Sequence, residues 1–181
     1  MRLFIAINFD DDFKAGLLNI ISTLKKSGIK GNLTNADNLH LTLAFLGEIE
    51  PCKVQNIISV MDGINGDTFE LEAVRVASFK GREGKCRVYF AGLKENHILN
   101  ILQSKLETAL RERGFDIEKR VFKPHITLAR EIPYPDPIVE REIEQLLPIT
   151  QNVVSFELME SVRIDGRVRY KAIHTVRLIS Q

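Results

Sequence analysis

His40-Leu-Thr-Leu-Ala-Phe-Leu-Gly-Glu48 and Pro124-His-Ile-Thr-Leu-Ala-Arg130 write one short strand twice in a chain of 181 residues. In an extended chain, residues two apart share a face. His40 therefore stands beside Thr42, and His125 beside Thr127. Leu41, Leu43, Ile126 and Leu128 turn to the opposite, core-facing side. Each copy is an apolar anchor that presents an imidazole and a hydroxyl together. A single pair of this kind is most simply a hydrogen-bonded structural feature. With only four histidines in the chain, two matches arise from composition about once in a hundred such chains. The repetition points to one cleft lined from both sides.

The segments around the two copies follow a common order. Leu3 to Asn8 is an apolar run bounded by Asp10, Asp11 and Asp12, as expected of a buried strand leading into a capped helix. Phe13, Leu17, Leu18, Ile20, Ile21 and Leu24 recur at helical spacing, and Gly28 supplies the stop. The first motif strand, Leu39 to Leu46, comes next, and Pro51 then opens a helix carrying Val54, Ile57, Ile58 and Met61. Phe69 to Phe79 and Arg87 to Leu93 read as a hairpin. A helix from about residue 95 to 113 follows, with Ile98, Ile101, Leu102, Leu106 and Leu110 on one face and Gly114 as its stop. Beyond the second motif strand, a proline-rich loop from Glu131 to Pro137 leads to a short helix with Ile138, Val139, Ile143, Leu146 and Leu147. Val153 to Ile164 and Val168 to Ile179, joined at Asp165-Gly166, read as a closing hairpin.

This succession lacks the regular alternation of a doubly wound parallel sheet. It predicts an α+β fold: a bilobal, pseudo-twofold duplicated unit with mainly antiparallel sheets flanked by helices, spanning residues 1–181 as a single domain with a central cleft. The recurrence of helix, motif strand and helix in both halves suggests an internal duplication.

Composition narrows the surroundings. Hydrophobic residues make up 44% and charged residues 27%, and the formal net charge is +1, so no long-range field attracts nucleic acid and any such contact depends on local basic clusters. The two cysteines, Cys52 and Cys86, have neither zinc-site spacing nor the density of a disulfide framework. The apolar run at the start is too short for a signal peptide, and no stretch approaches about 18 apolar residues. The expected setting is cytoplasmic, without a membrane, with no obligate protein partner, and monomeric.

Two imidazoles and two hydroxyls facing one another suit phosphoryl transfer to water. One neutral imidazole draws the proton from water, while one imidazolium protonates the leaving oxygen. The threonine hydroxyls donate to non-bridging phosphate oxygens. Each motif contributes one histidine with no carboxylate two residues away, so neither a metal nor another cofactor is expected.

The two motifs resemble those of the two-histidine (2H) phosphoesterase superfamily, and most closely its RNA 2′,3′-cyclic phosphodiesterase branch, also called 2′-5′ RNA ligase-like. The opening Arg2-Leu-Phe-Ile-Ala-Ile7 and the later Ser161 and Tyr170 extend the resemblance over nearly the whole chain. It implies hydrolysis of a terminal 2′,3′-cyclic phosphate of RNA, or of a small cyclic-phosphate nucleotide, to a 2′-phosphate. It further implies His40 as proton donor, His125 as proton acceptor and Arg130 as a phosphate ligand beside Thr42 and Thr127. The branch often carries a base-stacking tryptophan before the middle helix, and this chain has none. Phe90 takes that position and Phe79 is a second candidate stacking ring; Phe90, in an apolar strand, reads rather as core, and Phe79 suits either role. Lys80, Arg82, Lys85 and Arg87, and again Arg163, Arg167, Arg169 and Lys171, form basic clusters that suit RNA phosphates or solvated hairpin tips alike. His97 and His174, outside the motifs, read as structural or surface residues. Joining or cleavage of 2′-5′ linkages in the same site, and a non-catalytic RNA-end module, are the rival expectations.

Overall fold

The structure, a computed structural model, describes residues 1–81, 85–117 and 121–179. Arg82, named above in a basic cluster, lies outside the described residues.

The strands are β1 (Arg2–Ile7), β2 (Asn32–Leu33), β3 (Leu41–Glu48), β4 (Phe69–Lys80), β5 (Lys85–Leu93), β6 (His125–Pro133), β7 (Ile149–Val153), β8 (Ser155–Ile164) and β9 (Arg167–Arg177). The helices are α1 (Asp11–Lys26), α2 (Val54–Asp62), α3 (His97–Glu112) and α4 (Pro137–Glu144). Asp10, Gly28 and Gly114 mark helix ends as predicted, and Asn96 adds a cap that sequence reasoning missed. Asp10 accepts from the Phe13 amide at 2.7 Å, and Asn96 accepts from the Leu99 amide at 2.9 Å. Gly28 and Gly114 leave α1 and α3 with φ of +83° and +81°, in the left-handed region where only a residue without Cβ is unstrained.

The main path of the sheet runs β7-β4-β5-β6-β3-β1-β8-β9, with β2 paired to β6, and its named strand pairs are antiparallel. The motif strands meet at its centre through one register pair, Leu41 with Ile126. On one side lie β3, β1, β8 and β9, and on the other β6, β5, β4 and β7. Two four-stranded halves thus join at the motifs, as the duplicated pattern predicts.

The predicted closing hairpin is longer than the real one. Its first strand breaks at the exposed Val154: β7 pairs with β4 at one edge of the sheet, whereas β8 pairs with β1 near the other. Val153 and Ser155 are two residues apart and belong to opposite halves. With about 3.8 Å between successive Cα atoms, this is possible only because the sheet curls strongly. The Leu178 amide donates to the Val154 carbonyl at 2.8 Å, and the Thr68 amide to the Ile179 carbonyl at 3.1 Å, tying the end of β9 to the same corner.

The helices cross between the halves. α1 leaves β1 but packs on β6, β7 and α4, and α3 leaves β5 but packs on β3 and α2. Each motif strand is thus backed by the helix from the other half. Phe13, Leu17, Ile20, Leu106, Leu110, Leu41, Ile126 and Leu128 are all at most 1% exposed and share one cluster. The face of the sheet away from these helices is open, and the motif side chains stand on it.

Candidate active site

His40 precedes the first residue of β3, and His125 is the first residue of β6. Because Leu41 pairs with Ile126, counting one residue either way along antiparallel strands sets His40 opposite Thr127 and Thr42 opposite His125. The four predicted side chains are brought together as a diagonal quartet, each histidine facing the threonine of the other copy.

Both imidazoles are oriented from behind by a carbonyl two residues upstream. Nδ1 of His40 donates to the Asn38 carbonyl at 2.8 Å, and Nδ1 of His125 donates to the Lys123 carbonyl at 2.8 Å. A carbonyl can only accept, so Nδ1 carries a proton in each ring and Nε2 is left to face the cleft. Nε2 of His40 lies 3.0 Å from the Thr42 hydroxyl. The Asn38 segment is braced in turn: its side-chain amide donates to the Val168 carbonyl at 3.1 Å, and Arg169 pairs with Asp37 at 2.7 Å.

Aromatic rings fix the edges. His40 lies 5.0 Å from Phe4 and 5.1 Å from Tyr170, and His125 lies 5.3 Å from both Phe79 and Phe90. Burial pulls the pKa of His40 below its ordinary value of 6.5; the Asn38 hydrogen bond opposes this, and the charges of Arg130 and His125 reinforce the lowering. The charge of Arg130, on β6, therefore acts on His40 across the join between the halves.

Arg130 reaches the open face through an irregularity. Strict alternation from Thr127 would turn residue 130 toward the core. Leu128 and Ala129 are both buried, and the register slips between the pairs Tyr89 with Ala129 and Phe90 with Thr127. This bulge shifts the alternation by one and returns Arg130 to the cleft. The first copy does the same: Leu43 and Ala44 are both buried, the register slips there, and Phe45 emerges on the open face. Phe45 and Arg130 are thus corresponding positions of the duplication, and the Arg2 guanidinium stands over the Phe45 ring, 5.3 Å from its centre.

Two grooves flank the quartet. About 580 Å³ opens beside His40 among Phe4, Thr42, Phe45, Arg130, Arg163 and Tyr170. About 530 Å³ opens beside His125, with Phe79, Phe90, Phe122, Arg75 and Lys123 in its walls. Phe90 is only 8% exposed and Phe79 is half-buried, their rings 4.6 Å apart. Sequence reasoning missed Phe4, Phe45, Arg75 and Phe122 as lining residues; only the strand register and the curl bring them here. His97 is exposed at the start of α3, and His174 pairs with Asp62 at 2.7 Å, both outside the grooves. Of the basic clusters, Arg163 lines a groove, Arg169 holds Asp37, and Lys80, Lys85 and Arg87 are exposed. Cys52 and Cys86 are free thiols. Among the described residues, no helix is long and apolar enough to cross a membrane.

An open-faced, duplicated sheet with paired His-x-Thr strands defines a class, and the comparisons name it. The family model of LigT-like phosphoesterases matches residues 7–90 and 93–170, and the chain belongs to this family. An RNA 2′,3′-cyclic phosphodiesterase of Thermotoga maritima is 32% identical over 178 residues, covering 96% of this chain and 94% of that protein. One of Archaeoglobus fulgidus is 33% identical over 131 residues, 72% of each. Among solved structures, E. coli LigT complexed with 3′-AMP superposes with a TM-score of 0.80 at 26% identity, covering 98% of this chain and 97% of that one.

Proposed function

We propose that the protein hydrolyses the terminal 2′,3′-cyclic phosphate of RNA to a 2′-phosphate end by acid and base catalysis from its two histidines, without a metal. The diagonal quartet of His40, Thr42, His125 and Thr127 carries this reading, together with relatives that bear the name of that activity. Opening the ring toward a 2′-phosphate makes O3′ the leaving oxygen. One imidazolium must protonate O3′ while the other imidazole takes a proton from water on the opposite side of phosphorus. Thr42, Thr127 and Arg130 donate to the non-bridging oxygens, where charge accumulates.

In this reading His40 is the acid and His125 the base. Burial and Arg130 favour neutral His40 in the free protein. A negatively charged phosphate placed between Arg130 and His40 offsets the arginine's charge and returns the proton to Nε2, so the acid is armed when substrate binds. The carbonyl of Asn38 supports the same state by accepting from Nδ1–H.

The deciding assay is incubation with an oligoribonucleotide ending in a 2′,3′-cyclic phosphate, in EDTA, with end-group analysis. A 2′-phosphate product is expected. Turnover that appears only on adding a divalent metal, or a 3′-phosphate product, would refute the proposal.

A further inference from the structure

Each motif imidazole hangs from a carbonyl two residues upstream, but the two carbonyls are held differently. Lys123, which holds His125, is exposed, and among the described residues its side chain makes no hydrogen bond or ion pair. Asn38, which holds His40, is tied to the far end of the last hairpin. In the order of the sheet β9 stands three strands from β3, yet Nδ2 of Asn38 donates to the Val168 carbonyl at 3.1 Å and Arg169 meets Asp37 at 2.7 Å. The end of the β8–β9 hairpin therefore folds back over the open face as far as the segment before β3, and it sets Tyr170 edge-on to His40 at 5.1 Å. The Asn38 amide has one orientation only: a carbonyl accepts, so Nδ2 must face Val168 and Oδ1 is turned away. Oδ1 is buried there without a partner among the described residues, a cost that a leucine of the same shape would avoid while losing the donor. The Asp37–Arg169 pair is exposed on both sides and is the weaker hold.

Resting on the function proposed above, we infer that Asn38 is a positioning residue for the acid and that the β8–β9 hairpin is the arm through which it acts: the hairpin grips the Asn38 side chain, the Asn38 carbonyl keeps the proton of the neutral His40 ring on Nδ1, and Nε2 is aimed into the cleft. The same hold sets the direction of the neighbouring contact. With the proton on Nδ1, Nε2 can only accept, so the Thr42 hydroxyl at 3.0 Å donates to it. An imidazole released from the carbonyl can carry its proton on Nε2 instead, which reverses that bond. A ring displaced by about 1 Å loses on the order of 10²-fold in rate. His125, hung from an exposed lysine, does not depend on the arm.

The test reads the tautomer and the rate separately. Nitrogen NMR of the neutral rings should show His40 as the Nδ1–H tautomer in wild type, and as a mixture with Nε2–H in Asn38→Ala and Asn38→Asp, neither of which can donate to Val168. The His125 ring should be unchanged and serves as the internal reference. On adenosine 2′,3′-cyclic phosphate both variants should lose at least about tenfold in kcat, with KM within about twofold of wild type. Arg169→Gln should lose about two- to fivefold in kcat, Arg169→Lys should recover part of that, and Asp37→Asn combined with Arg169→Gln should be no worse than either alone. A rise in KM at unchanged kcat would make the hairpin a binding wall instead of a positioning arm, and a His40 tautomer unmoved in both Asn38 variants would deny Asn38 the role; either overturns the inference. So does an equal change in the two rings, which marks a general loosening. If wild type turns over no cyclic substrate, the functional proposal falls, while the two rings still judge Asn38. Should a melting curve show Asn38→Ala unfolded, Asn38→Asp, of the same size, and the surface variant Arg169→Gln carry the test.

Discussion

Nε2 of His40 and Nε2 of His125 are the two atoms on which the proposed chemistry turns, because each ring's other nitrogen is committed to a carbonyl at 2.8 Å. Replacing either histidine by alanine should lower kcat about 10²- to 10⁴-fold, the usual scale of one acid or base. The melting temperature should stay close to wild type, since both rings are only part-buried on the open face; steady-state kinetics and a thermal melt check the two halves of this expectation. The sign of the pH dependence follows from His40. A lowered pKa means that the protonated fraction disappears at a lower pH than for a free imidazole. If His40 is the acid, kcat/KM of the free enzyme falls on the alkaline side from a midpoint below 6.5. Arg130→Gln removes one of the lowering charges, so that midpoint should rise. NMR titration of the His40 ring in both proteins measures it directly, and an unchanged midpoint in the variant would show that the arginine's field is not felt.

At the scale of elements, the motif strands work because a bulge follows each threonine. Leu128 with Ala129, and Leu43 with Ala44, bury two neighbours in a row and bring Arg130 and Phe45 to the open face. Sequence alternation identified Leu41, Leu43, Ile126 and Leu128 as core-facing, and all four are buried. It gave no sign of the slip, because two apolar residues in succession fit an unbroken buried strand equally well. Leu41 and Ile126 are the register pair between the halves. Ile126→Ala should therefore cost about 2–5 kcal/mol and loosen the quartet as well, lowering both the denaturation midpoint and kcat. The start of α1 is a gentler test. Asp10 caps the helix through the Phe13 amide, and its own amide donates to Gln151 of β7 at 3.0 Å. Asp10→Ala should cost about 1 kcal/mol, seen as a melting shift of about 2–4 °C for a chain of this size, with the rate on substrate nearly unchanged.

For the whole molecule, the exchange of helices between halves couples the two motifs. α3 backs β3 and α1 backs β6, so each motif strand is held by a helix that the other half supplies. Both histidines of the proposed site come from one chain, so the proposed chemistry needs no second copy; sedimentation of this 181-residue chain should give the monomer mass of 20.6 kDa for the active species. The sequence by itself determined the α+β class, the helix limits set by Asp10, Gly28 and Gly114, and the candidate quartet of His40, Thr42, His125 and Thr127. These depend on local periodicity, local caps and a repeated motif, which are written within a few residues of where they act. Only the tertiary structure decided that Val153 and Ser155 belong to opposite halves, that Arg130 faces the cleft, and that Val168 and Arg169 reach Asn38 and Asp37 beside His40. Those facts depend on strand register and curl, which arise from packing between segments as distant in sequence as Leu3 and Glu160, where a one-residue slip reverses the face of every side chain that follows.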